Sequence, residues 1–106
     1  MRLIGRVETA KVGSFGDIEI SVVDKEVKKP GGTGRPQYTC KIVSGLPGLD
    51  EVKQLRKDKV SPQELFDYVS ENIALPQEDD VIELTVIDVR GKDTFKTLVC
   101  EIALAN

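Results

Sequence analysis

The feature that most constrains this chain is an apolar residue at every second position, recurring in five short segments and interrupted once by a helix-start signal. Alternation of period two puts successive side chains on opposite faces of a strand, so one face can be buried while the other meets water. From Arg2 to Val12, Leu3, Gly5 and Val7 share one side, and Arg6 and Glu8 the other. Ile18, Ile20 and Val22 then alternate with Glu19, Ser21 and Val23. Between these two segments Gly13-Ser14-Phe15-Gly16-Asp17 is turn chemistry, which predicts a hairpin. A third strand is expected over Gln37 to Ser44, with Tyr38, Cys40 and Ile42 on one face and Thr39 and Lys41 on the other. The fourth, Val81 to Arg90, sets Ile82, Leu84 and Val86 on one face. The fifth, Thr94 to Leu104, does the same with Leu98, Cys100, Ile102 and Leu104.

The interruption is Ser61-Pro62-Gln63-Glu64. Serine is a favoured N-cap, proline is tolerated at the first helical position, and glutamate three residues after the cap can reach back to it. Leu65, Phe66, Val69 and Ile73 follow at helical spacing, and the helix should end near Asn72 to Leu75, before Pro76. Upstream, Asp50 to Lys59 has the makings of a short helix with Val52 and Leu55 as its apolar contacts. The order is thus β-β-β-α-β-β, a mostly β (α+β) chain. This order resembles that of the OB-fold, a five-stranded, partly open Greek-key barrel. The alternative is an open antiparallel sheet with one helix packed on a face. In the barrel the third and fifth strands are neighbours, which would bring Cys40 and Cys100 close together.

A chain of 106 residues is expected to form a single domain over 1–106. Its 40% apolar and 31% charged composition reads as globular. No apolar run approaches the ~20 residues of a membrane span, and the charged start Met1-Arg2-Leu3-Ile4-Gly5-Arg6 is no signal-peptide core. A cytoplasmic protein without membrane association is therefore expected. The chain has no His or Trp, few Asn and many Lys and Glu, a balance that leans toward a thermophilic source.

Several chemistries are disfavoured by what the chain lacks. Without histidine there is no base for a serine or cysteine nucleophile. Cys40 and Cys100 have no CxxC spacing and are flanked by apolar residues, which raise a thiol pKa instead of lowering it. They read as small core hydrophobes, not as a disulfide framework or half a zinc site. Glu78-Asp79-Asp80 could offer oxygen ligands to a hard cation, but the rest of a calcium loop is absent, so a solvated charge run is the plainer reading. Gly31-Gly32-Thr33-Gly34-Arg35 lacks the Lys-Ser/Thr ending of a P-loop and precedes a strand instead of a helix. No catalytic residue, metal or cofactor is expected, and the chain is not expected to be an enzyme.

What remains is charge and a few aromatics. Residues 1–60 hold 12 Lys and Arg against 8 Asp and Glu, whereas residues 61–106 hold 3 against 10, which predicts two oppositely charged faces. Lys25, Lys28, Lys29 and Arg35 lie on a Gly/Pro-rich connection suited to neutralising phosphates without reading sequence. OB-type binders use the outer faces of strands two and three and the loops joining strands one to two and four to five. Lys41 belongs to that face, Phe15 to the first loop, and Arg90, Lys92, Phe95 and Lys96 to the second. The expectation is a non-catalytic small binding module, with single-stranded nucleic acid as its ligand through the basic Gly/Pro loop. The alternative is a protein-interaction subunit or homo-oligomer, in which the basic half meets an acidic half and Val23, Val43, Ile87 and Val89 supply apolar contact. The two phenylalanines and the basic loop form one site only if the fold brings them together; an acidic helix beside them would weaken the nucleic-acid reading.

Overall fold

The alternating segments pair into one closed sheet. The computed structural model describes residues 1–25, 36–91 and 96–104. The strands are β1 (Arg2–Val12), β2 (Ile18–Asp24), β3 (Gln37–Ser44), β4 (Val81–Arg90) and β5 (Thr97–Leu104). They close in the order β1-β2-β3-β5-β4, with β4 returning to β1. All pairings are antiparallel except β3 with β5. This is an OB-like barrel, and the open-sheet alternative is set aside because β1 is paired on both of its edges. Its length makes that possible: Arg2–Arg6 run along β4 while Gly5–Val12 run along β2. A bulge between Val7 and Thr9 bends the strand between its two partners.

The alternation holds where it was expected. Leu3, Val7, Ile18, Ile20, Val22, Cys40, Ile42, Ile82, Leu84, Leu98, Cys100 and Ile102 are all buried in one cluster. Val99, of the opposite parity, is buried as well, in register with Lys41 and Asp88. Cys40 and Cys100 are free thiols and adjoin across β3 and β5, as that neighbourhood implied. The Cys40 thiol shares a hydrogen bond with Cys100 and is buried; both effects hold its pKa well above the ordinary range. Neither sulfur is reachable by solvent, so both act as core packing.

Two helices, not one, separate β3 from β4: α1 (Leu49–Lys57) and α2 (Pro62–Asn72). The capping signal marks the second, where the Ser61 hydroxyl accepts the Glu64 N–H at 3.2 Å. The short helix expected over Asp50 to Lys59 starts one residue earlier, with Gly48 as its N-cap, and stops two residues earlier. Asp50 and Glu51 in its first turn and Arg56 and Lys57 in its last oppose the helix dipole. Leu49 and Val52 of α1 join Leu65 and Val69 of α2, with Leu46 and Ile73, to plug one end of the barrel. Phe66, expected on the buried stripe, is only half-buried.

The turn out of β3 depends on Gly45. Its φ is 102°, and a Cβ there would collide with the Ile102 carbonyl oxygen of β5. Glycine lets the chain leave β3 while β5 passes directly beneath. The Glu78-Asp79-Asp80 run is fastened to β1. Asp79 pairs with Arg6 at 2.9 Å, the Asp80 carboxylate accepts the Gln77 N–H, and backbone bonds join Val7 to both Asp79 and Asp80. Among the described residues no group of His, Cys, Asp or Glu is placed to hold a metal, and no helix is long and apolar enough to cross a membrane.

Candidate functional site

The expected contacts divide between the two ends of β2. Phe15 lies in the β1–β2 loop and is 62% exposed. Lys25 follows the other end of the strand, where backbone bonds from Asp24 to Pro36 and from Lys25 to Ile4 tie down the base of the Gly/Pro connection. Seven residues of strand separate them, a distance of roughly 20 Å at ~3.3 Å per residue. The parallel pairing of β5 with β3 puts the start of β5, and so the β4–β5 loop, at the Lys25 end. Arg90 and Lys96 are exposed there. Arg90 has a carboxylate partner, Asp88, at 3.6 Å. Lys28, Lys29, Arg35, Lys92 and Phe95 lie outside the described residues. The described candidates therefore do not converge on one patch: Phe15 is at one end, and Lys25, Arg90 and Lys96 are at the other.

The helices cap the same end of the barrel as the Phe15 loop. Gly16, with a φ of 78°, packs against Leu65 of α2; a Cβ there would come within 3.0 Å of the Leu65 Cβ. The acidic helix is thus beside the Phe15 loop, the arrangement that counts against the nucleic-acid reading there. The other helix is there too, with Lys53, Arg56 and Lys57 set against Asp50 and Glu51. A cleft of about 340 Å³ opens between the β1–β2 loop, the outer part of β3 and α1. Ile18, Ile42, Leu49 and Val52 form its apolar floor. Lys41 reaches it from β3, and Lys53 and Arg56 from α1. Positions three apart on a helix face the same way, so the two α1 cations stand side by side.

These three cations have no carboxylate partner among the described residues. Ion pairs join Arg2 with Glu83, Arg6 with Asp79, Lys11 with Glu19 and Arg90 with Asp88. Asp17 borders the cleft, but its carboxylate is turned over Gly13 within the loop. The cleft is accordingly a small concave surface with net positive charge, an apolar base and an exposed aromatic ring on the adjoining loop. It can hold an anion with an attached flat or apolar group.

The outer face of β2 and β3 leads away from this cleft. Glu19 opposes Lys41, Ser21 opposes Thr39 and Val23 opposes Gln37. Glu19 is engaged by Lys11 at 3.4 Å, and Gln37 donates to both oxygens of the Glu8 carboxylate. The face therefore presents mainly hydroxyls and Lys41. Sequence reasoning found Phe15 and Lys41 but missed Lys53 and Arg56. Their i, i+3 spacing on an expected helix was visible; their position across from β3 was not. No family model, no curated protein and no solved structure matches this chain.

Proposed function

We propose that the protein is a non-catalytic binding module for single-stranded nucleic acid. The observation that carries this reading is the cleft between β3 and α1, where Lys41, Lys53 and Arg56 have no carboxylate partner among the described residues and the adjoining loop carries the exposed Phe15. Cations supply the sequence-independent attraction to phosphates, and an exposed ring supplies a stacking surface worth about 1–3 kcal/mol per base. The site lies on the β2–β3 side of the barrel and includes the β1–β2 loop, which OB-type binders use. Its centre differs from the basic Gly/Pro connection that composition favours. Lys25, Arg90 and Lys96, at the far end of β2, would extend the contact for a longer strand.

Titration of random single-stranded oligonucleotides at low salt tests the proposal. Saturable binding that weakens as salt rises is expected. Absence of binding at tens of micromolar protein would overturn it. A second reading, a protein-interaction subunit, draws on β4, where Ile87 and Val89 are 52% and 46% exposed. It predicts a discrete oligomer or a co-purifying protein, and light scattering showing a monomer at high concentration counts against self-association.

A further inference from the structure

The cations of the cleft are gathered at one place and are not strung along a track. A long polyanion carries one charge per nucleotide and is best met by cations spaced along its path. Here the outer face beyond Lys41 offers Glu19, Ser21 and Thr39, and Glu19 is already neutralised by Lys11. Three positive charges instead border a single cleft of about 340 Å³, with Asp17 the one carboxylate on its wall. The resulting excess of two charges exceeds what an internal phosphodiester, with its single charge, can balance. A terminal phosphomonoester carries about −1.5 to −2 at neutral pH and three acceptor oxygens. Arginine and two lysines are suited to surround such a group, the arginine through its planar fork.

We propose that this cleft binds the phosphorylated end of a single strand, with Lys41, Lys53 and Arg56 around the terminal phosphate and Phe15 stacked on the terminal base. The inference rests on the nucleic-acid reading and places the strand on it: the phosphorylated end, whether 5′ or 3′, sits between β3 and α1, and the remainder crosses the hydroxyl-bearing face of β2 and β3. The volume agrees, since a cleft near the lower end of ligand-site sizes accommodates one nucleotide and not a run of them.

The test is calorimetric titration of the full chain with three eight-nucleotide DNA strands of one sequence, bearing a 5′ phosphate, a 3′ phosphate or neither. One phosphorylated end should bind about tenfold tighter than the other two strands, as expected of a charge-assisted contact worth ~1.5–3 kcal/mol. Lys53→Ala with Arg56→Gln should remove that preference and leave weak binding equal for all three strands. Both residues are exposed on α1, and an unchanged circular dichroism spectrum checks that the helix persists. The preference should also fade below about pH 6, where the phosphomonoester takes up its second proton. The charged groups bordering the cleft are Lys41, Lys53, Arg56 and Asp17, and the chain has no histidine to titrate in that range. Equal binding of all three strands by the unmodified protein overturns the end-binding inference and leaves the nucleic-acid reading standing. Binding of none of them overturns both.

Discussion

Two sets of cations occupy this barrel in opposite circumstances. Along β1 and β4, Arg2, Arg6 and Arg90 each lie within 2.8–3.6 Å of a carboxylate. Between β3 and α1, Lys41, Lys53 and Arg56 line a cleft and meet no described carboxylate. The first set is supplied with acids by the chain itself, because the segment from residue 61 to 89 holds eight acids and no base, and its β4 part is in register with β1. The second set forms no salt bridge with those acids among the described residues, although α2, which carries Glu64, Asp67 and Glu71, packs against α1. Paired charges on a surface contribute little to stability and are not available to a ligand. Unpaired charges gathered over an apolar floor gain most when an anion arrives. The same residue types therefore serve as trim in one region and as a binding surface in the other.

The largest effect is expected where both regions hang on the same frame. Gly45→Ala should destabilise the whole barrel by more than the ~1–2 kcal/mol that a left-handed alanine costs by itself, since the Ile102 carbonyl must also move. A lowered urea midpoint with loss of binding is the expected readout; an unchanged midpoint would show that the β3–α1 turn can relax. Next comes the pair Lys53→Ala with Arg56→Ala. It should weaken oligonucleotide binding about tenfold or more and lower the salt slope by about two, while leaving the unfolding midpoint in place. Phe15→Ala should cost about 1–3 kcal/mol of binding if a base stacks there, and close to nothing in stability, because the ring is exposed. The smallest effect belongs to the paired set. Arg6→Ala should lower stability by no more than about 1 kcal/mol and change binding less than twofold. A strong loss of binding in that variant would break the contrast between the two regions.

Much of the architecture was legible along the chain. Buried alternation in Leu3–Val7, Ile18–Val22, Ile82–Leu84 and Leu98–Ile102 follows from the strand period alone. The Ser61 cap is a local signal, completed within four residues. Half of the candidate site was legible for similar reasons: Phe15 sits in a turn that shows its chemistry, and Lys41 alternates outward on a recognisable strand. Lys53 and Arg56 were passed over because a helical cation is ordinarily a solvated one. What makes them a site is the packing of Leu49 and Val52 against the barrel end, which no local pattern encodes. Composition drew attention to the Gly/Pro connection because four of its residues are basic and near one another in sequence. Yet β2 separates Lys25 from Phe15 by its full length, so nearness along the chain did not become one patch in space.

The sequence by itself determined the strands, the turn at Phe15, the start of α2 and the absence of histidine chemistry, because each depends on period, capping or composition within a few residues. Only the tertiary structure decided that the sheet closes. Closure requires β1 to bend at its bulge and pair with both β2 and β4, and β3 to lie parallel to β5, contacts between residues far apart in the chain. The same closure decided which cations find a carboxylate and which do not. An ion pair depends on where two charges meet in space, and the barrel carries the acids of β4 to β1 while it leaves the face between β3 and α1 positive.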